Sequence, residues 1–368
     1  MNGRLPALTD VVDGFGGTTA LRRMLREPSQ ILLSDSGSSS IRRSFGIQRI
    51  DEILAVSTLE PYVVALHDSD VEIDQRTFID TRVGDGQIIK RTLGAATLVD
   101  ALRRGLTLTI NGADRFDALT LRIREYLEYA AAALAWCNIY LSRSAMSPFD
   151  THTDNHHVIA VQGEGRKHWT VLEPDSGEVV FDDWLQAGQS LFVPAHWPHR
   201  VHGSDEVSVH WTFGLSPHTE PYRALEDVVS GHVADGDLEK ARAELAKHLA
   251  GDTVRQNADL RRRRAGVSLA YQMLDSSAVA LQDVTIRFAS RLPPILGACG
   301  AGIVVIAAGS LYKVDGRLLP ALERLSDGLP VPASELAPEV GEKATRTFIE
   351  WGVGNGLLLA DVERIERS

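Results

Sequence analysis

Between residues 150 and 215 the chain is cut into short runs that alternate apolar and polar residues and stop at glycine or proline. Residues 158–161 form one run. Residues 167–172 form another, after a turn at Gly163 and Gly165, and 190–193 a third, stopped by Pro194. Residues 207–213 alternate without a break. Period-2 alternation puts neighbouring side chains on opposite faces of a strand. Many short strands with regular turns predict a β-barrel or jelly roll.

The flanks read differently. At 368 residues the chain is longer than one ordinary domain. Thr97 is placed to cap a helix running to Arg104, stopped by Gly105, and residues 106–110 alternate like a strand. Leu119, Ile123, Leu127, Ala130 and Leu134 keep helical spacing, so a helix is predicted over 116–135, with a strand at 138–141. Beyond Pro217, residues 238–250 form an amphipathic helix and 254–290 read as helical. Pro293-Pro294 marks a boundary, and 295–368 reads as helices followed by a hairpin turning at Asn355-Gly356. The apolar run 295–308 is too short to span a bilayer. The N-terminus lacks a basic region followed by an apolar one, so no secretory signal is expected. Two cysteines, Cys137 and Cys299, fit a reducing cytoplasm rather than a disulfide scaffold.

Residues 152–169, HTDNHHVIAVQGEGRKHW, concentrate four histidines. On a strand His152 and Asp154 share a face, so an imidazole and a carboxylate can reach one point. A third ligand is available in 194–202. If a strand resumes near Pro198, His199 and Val201 share one face and His202 takes the other, which favours His199 with His202 as the alternative. Two histidines and one carboxylate on one face of an octahedron leave three open positions, the arrangement suited to non-heme Fe(II). Lys167 follows His152 by fifteen residues. Inside a barrel its ammonium needs an anion, such as a dicarboxylate co-substrate; on the surface it would merely extend to solvent.

Taken together, His152-Thr153-Asp154, Gly165-Arg166-Lys167-His168-Trp169, Gly188-Gln189-Ser190-Leu191-Phe192-Val193-Pro194 with His199, and Ser208-Val209-His210-Trp211-Thr212 resemble the JmjC-type 2-oxoglutarate oxygenases, within them the cupin-4 branch of ribosomal oxygenases. The resemblance rests on a histidine-x-aspartate, a lysine or arginine fifteen residues later, and a histidine five residues after a strand-ending proline. It implies a β-rich double-stranded β-helix over 1–218, an α-helical dimerisation region over 219–290 and a winged-helix-like domain over 291–368. It implies Fe(II) on His152, Asp154 and His199, and 2-oxoglutarate held by Lys167 with help from Asn138 and Ser208, with O2 as the other co-substrate. It further implies hydroxylation of a peptide or protein side chain and a homodimer. His210 and Trp197 are candidate helpers around the ligands. Thr153 and the His156-His157 pair depart from the branch pattern, so the branch's usual ribosomal substrate does not carry over with the motif.

The net charge of −11 disfavours a nucleic-acid partner, and the 291–368 segment, with eight Lys plus Arg against ten Asp plus Glu, is no basic DNA reader. An acidic surface favours a cationic target, which points to a histidine or arginine residue. The resemblance implies a ribosomal protein segment as its carrier, and the altered pocket residues leave the precursor of a ribosomally made peptide natural product equally open. The tetrad Arg261-Arg262-Arg263-Arg264 reads as a solvated helix face. Two rival readings are an oxygenase acting on a free amino acid or small metabolite, and a metal-binding cupin sensor without turnover.

Overall fold

The computed structural model describes residues 6–26, 28, 31–35, 39–56, 63–68, 71–74, 77–84, 86–131, 133–144, 150–217, 239–240, 243, 268–273, 279–307 and 310–362. The contacts divide the chain into two compact units. One holds Leu5–Arg124 and Ala135–Ser216; the other holds Glu125–Leu134 and the chain from Pro217 onward.

The first unit is a jelly roll. Its large sheet runs, in spatial order, Leu32–Asp35, Gln189–Val193, His157–Glu164, Ser208–Pro217, Ala133–Ser142, Thr107–Ile110, Val64–Asp68 and Val71–Glu72. Its small sheet runs Val179–Gln186, Arg166–Leu172 and His199–His202. Side chains of both sheets meet in one core: Val158, Ala160, Leu191 and Val193 from the large sheet face Trp169, Val171 and Leu185 from the small one. His157–Glu164 is buried on both faces, because the helix Ser39–Ser44 packs against it, and so its sequence reads as nearly continuous apolar residues.

A tight joint fixes this sheet to the helical flank. The buried indole Nε1 of Trp211 donates to the carbonyl of Phe45 at 2.8 Å, and the Phe45 ring meets the Trp211 ring edge-on at 5.2 Å. Ile47 N–H donates to the Glu164 carboxylate at 2.9 Å. Gly163 lies under the same Phe45 carbonyl, where a Cβ would come within 1.9 Å of the oxygen. Gly163 therefore lies inside the strand, where it is needed for close approach and not for the turn expected of it; Gly165, at φ 61°, makes the turn.

Several flanking elements differ from the sequence expectation. The helix placed at 97–104 spans Ala95–Arg103; Gly94 caps it without a side chain, and Thr97 lies within its first turn. The helix placed at 116–135 is Ala118–Ala131, started by Asp117, whose carboxylate accepts from Thr120 N and Oγ1, both at 2.8 Å. The strand after it begins at Ala133, so Leu134 is extended although it continued the helical spacing. The strand Val179–Gln186 was not foreseen: its faces are mostly exposed, with Leu185 alone fully buried, so it carries no strong apolar alternation.

The second unit has two three-stranded sheets: Val331–Pro332, Val284–Phe288 and Leu358–Val362 in one, Ile295–Cys299, Gly302–Ala307 and Ser310–Asp315 in the other. Residues 284–288 are thus strand where helix was expected, and 295–315 is a β-meander. The β-branched run at 303–306 is buried on both sides and suits a sheet better than a helix. Asn355-Gly356 ends the helix Glu342–Asn355, with Gly356 left-handed at φ 74°, and makes no hairpin. Within this unit Glu125 pairs with Arg287 at 3.1 Å and Glu128 with Arg291 at 2.6 Å, all four side chains nearly buried. The expected helix 238–250 is described only at 239–240 and 243, and Arg261–Arg264 lie outside the described residues. No helix among the described residues is long and apolar enough to cross a membrane.

Gly163→Ala is expected to lower stability by at least about 3 kcal/mol, because neither the Phe45 backbone nor the sheet can give way. Gly177→Ala, where a Cβ meets nothing but φ is 71°, should cost only about 1 kcal/mol. Denaturant unfolding of both variants checks the ranking.

Candidate functional site

The loop 194–198 brings the ligand candidates together. His196 adopts a left-handed conformation at φ 66°, and its N–H donates to the Asp154 carbonyl at 2.7 Å. His152 N–H donates to the His199 carbonyl at 3.1 Å, and His199 N–H returns a bond to the His152 carbonyl at 2.9 Å. This reciprocal bridge sets the two imidazoles 4.5 Å apart. The Asp154 carboxylate stands 3.6 Å from His199 Nε2. One ligand atom from each of His152, Asp154 and His199 lies within 4.8 Å of the others. His199 faces inward and is buried, whereas His202 stacks on His168 at 4.6 Å on the other face of the small sheet.

The hydrogen bonds of the two histidines test whether a metal fits. His152 Nδ1 is 2.8 Å from the Asp150 carbonyl and His199 Nδ1 is 3.0 Å from the Trp197 carbonyl. A carbonyl only accepts, so each Nδ1 carries the proton and each Nε2 keeps its lone pair. Burial also holds His199 below its ordinary pKa, which favours the neutral ring a metal needs. Two such nitrogens and one carboxylate suit a divalent transition metal with open positions.

These ligands border a pocket of about 340 Å³. One wall is the strand Ala133–Ser142. Its odd-numbered residues are buried in the core, and its even-numbered ones, Trp136, Asn138 and Tyr140, line the pocket. The neighbouring strand supplies His210 and Thr212. Tyr140 stacks flat on His210, with centroids 4.8 Å apart. Asn138 Oδ1 accepts from Gly112 N–H at 3.0 Å, which fixes the amide in the wall. Ser208 is fully buried and is not a lining residue; its hydroxyl accepts from Gln162 Nε2 at 2.9 Å.

Lys167 lines the pocket and is only 1% exposed. Its Nζ donates to the Ser142 hydroxyl, a contact that sequence reasoning missed. Among the described residues Lys167 has no carboxylate partner. Burial alone pushes its pKa down from 10.5 to about 8. Burial and the nearby lysine push His210 well below its ordinary value, and His210 Nδ1 and Trp169 Nε1 are buried without hydrogen-bond partners among the described residues. A buried cation beside unpartnered polar atoms is costly unless a ligand completes it. Of the remaining histidines, His157 is buried and accepts from Ala195 N–H at 2.9 Å, with its pKa lowered to about 4 chiefly by burial. His156 lines the pocket. His168 sits on the outer side of the small sheet beside Trp184, and the Trp197 side chain packs against the jelly-roll core.

A double-stranded β-helix with a His-Asp-His face and a buried lysine defines a cupin-type metal-site class. Residues 113–221 match the JmjC domain family. The chain is similar to the bifunctional lysine-specific demethylase and histidyl-hydroxylase NO66 of Brugia malayi, 24% identical over 150 residues, covering 35% of this chain and 21% of that protein. It is also similar to ribosomal oxygenase 2 of Mus musculus, 25% identical over 209 residues, covering 51% of this chain and 45% of that protein. The chain thus spans about a fifth of the first of these relatives and under half of the second. A solved structure of the ribosomal oxygenase YcfD from Escherichia coli, in complex with cobalt and 2-oxoglutarate, aligns at a TM-score of 0.47 and 16% identity, covering 90% of this chain and 95% of that one.

Lys167→Met is expected to raise stability. The folded pKa of about 8 lies below the ordinary 10.5, so the unfolded chain holds more protons between these values. The penalty is fully present below pH 8 and is lost as pH rises towards 10.5. Thermal unfolding near pH 6 should show the variant more stable by on the order of 3 kcal/mol, with the difference vanishing above about pH 11.

Proposed function

We propose that the protein is an Fe(II)- and 2-oxoglutarate-dependent oxygenase that hydroxylates an unactivated carbon of a side chain in a peptide or protein. The observation that carries this reading is one pocket holding both a His-Asp-His face and a buried lysine with no carboxylate partner among the described residues. The JmjC match and the similarity to ribosomal oxygenases support it.

In this reading His152, Asp154 and His199 hold Fe(II) through two Nε2 atoms and a carboxylate oxygen. Bound iron and 2-oxoglutarate supply an oxidant from O2, yielding succinate, carbon dioxide and a hydroxylated carbon. The chain's own work is positional. The carbonyls of Asp150 and Trp197 keep both imidazoles aimed, and the His152–His199 bridge keeps them paired. Lys167, held by Ser142, presents its ammonium to a carboxylate of 2-oxoglutarate in a site shielded from water. Asn138, Tyr140 and His210 form the wall beside it, and Ser208 acts from beneath through Gln162. The target is a histidine or arginine side chain, in a ribosomal protein or in a peptide precursor. The proposal includes a cytoplasmic homodimer built on the region 219–290, of which 284–288 are strand and most lies outside the described residues, and a winged-helix-like role for 291–368.

Two measurements test this. Metal-free protein reloaded with Fe(II) should convert 2-oxoglutarate to succinate slowly without a target, and Asp154→Ala or His199→Ala should reduce this to background. Absence of turnover in the wild type under any peptide would count against an oxygenase. The affinity for 2-oxoglutarate should also fall above pH 8, where free Lys167 loses its proton, by up to about tenfold per pH unit. Lys167→Met should bind weakly and without this pH dependence.

A further inference from the structure

The pocket has a second end that the reaction chemistry above does not use. Trp136 lines it, on the same face of Ala133–Ser142 as Asn138 and Tyr140. Ser142, which holds Lys167, lies six positions beyond Trp136, so the two are roughly 20 Å apart along the strand. The indole covers Gly214 on the neighbouring strand. A Cβ there would come within 2.5 Å of Cε2 and Cζ2 and 2.8 Å of Nε1. Gly214 therefore supplies the space into which the ring is laid. His156 braces the ring from the side, with centroids 4.7 Å apart and planes at 61°. His156 Nε2 in turn stands 3.8 Å from the Asp154 carboxylate. The indole is thus fixed at a set distance from the metal-binding face, at the end of the pocket away from the co-substrate lysine.

We propose that Trp136, seated on Gly214 and braced by His156, is the specificity-determining residue of the site: its indole forms one wall of a slot for a flat, delocalised, positively charged target side chain. This rests on the oxygenase reading above and refines it. Trp is the strongest aromatic partner for a cation, and a planar cation can also stack on the ring, which a compact ammonium cannot. The chain's charge of −11 favours the same sign of ligand.

The test uses the full chain loaded with redox-inert Zn(II) and saturated with 2-oxoglutarate, so that nothing turns over. Capped Gly-X-Gly peptides, with X as arginine, lysine, citrulline or leucine, are titrated by NMR in the millimolar range. Citrulline keeps the planar shape without charge, and lysine keeps the charge without the plane. The wild type should prefer arginine over each of the others by on the order of fivefold. Trp136→Leu and Gly214→Ala should abolish the preference while leaving 2-oxoglutarate affinity unchanged, and Trp136→Phe should keep part of it. A wild type with no arginine preference, or a preference that survives Trp136→Leu, overturns the proposal. Failure of 2-oxoglutarate itself to bind the metal-loaded protein would instead overturn the oxygenase reading, and the slot with it.

Discussion

Two reciprocal backbone hydrogen bonds, His152 N–H to His199 carbonyl and His199 N–H to His152 carbonyl, hold the site together. They join residues 47 positions apart in the chain and place two imidazoles side by side. Everything else at the metal face hangs on this pairing. Pro194 ends one strand, His196 turns left-handed, and Pro198 starts the next, so His199 arrives opposite His152 and not one residue away. A one-residue slip would send His199 to the outer face and turn Arg200 inward. The jelly roll matters to function because it fixes this register with ladders on both sides: Arg166–Leu172 pairs with His199–His202 on one edge and Val179–Gln186 on the other.

A second constraint is the buried lysine. A lone ammonium inside a protein costs stability, and no carboxylate among the described residues offsets it. The fold accepts that cost at a position where an anionic ligand would remove it. Ser142 and the Tyr140–His210 stack keep the end of the pocket polar but rigid. The strand Ala133–Ser142 then gives the pocket a graded wall, from an aromatic through an amide to a phenol, with the buried Ser142 hydroxyl beyond it holding Lys167. The same strand gives its odd-numbered residues to the hydrophobic core, so wall and core are set by one alternation.

That alternation shows how far the sequence alone reaches. The ligands and Lys167 were legible because their spacings are fixed by strand geometry and one turn, and His199 could be told from His202 by face alone. Trp136 and Tyr140 were not picked out as wall residues, nor Ser142 as the partner of Lys167, although period-2 alternation ran through them. Leu134 continued the helical spacing of the preceding segment and hid where the strand begins. Val179–Gln186 escaped because an exposed edge strand needs few apolar residues. In the second unit, β-branched residues buried on both faces gave no period to separate strand from helix, and Asn355-Gly356 suits a helix end as well as a hairpin. Gly163 and Gly214 owe their places to what crosses above them, Phe45 and Trp136, contacts that no local pattern encodes.

The central claim is that the His-Asp-His face and Lys167 together hold Fe(II) and 2-oxoglutarate. Visible absorption of the metal-free protein, titrated with both under exclusion of oxygen, tests it most directly and needs no knowledge of the target. The account predicts a weak metal-to-keto-acid charge-transfer band in the wild type, lost in His152→Ala, Asp154→Ala and His199→Ala and reduced in Lys167→Ala. Iron binding without that band would contradict it and leave a cupin that uses its metal for other chemistry.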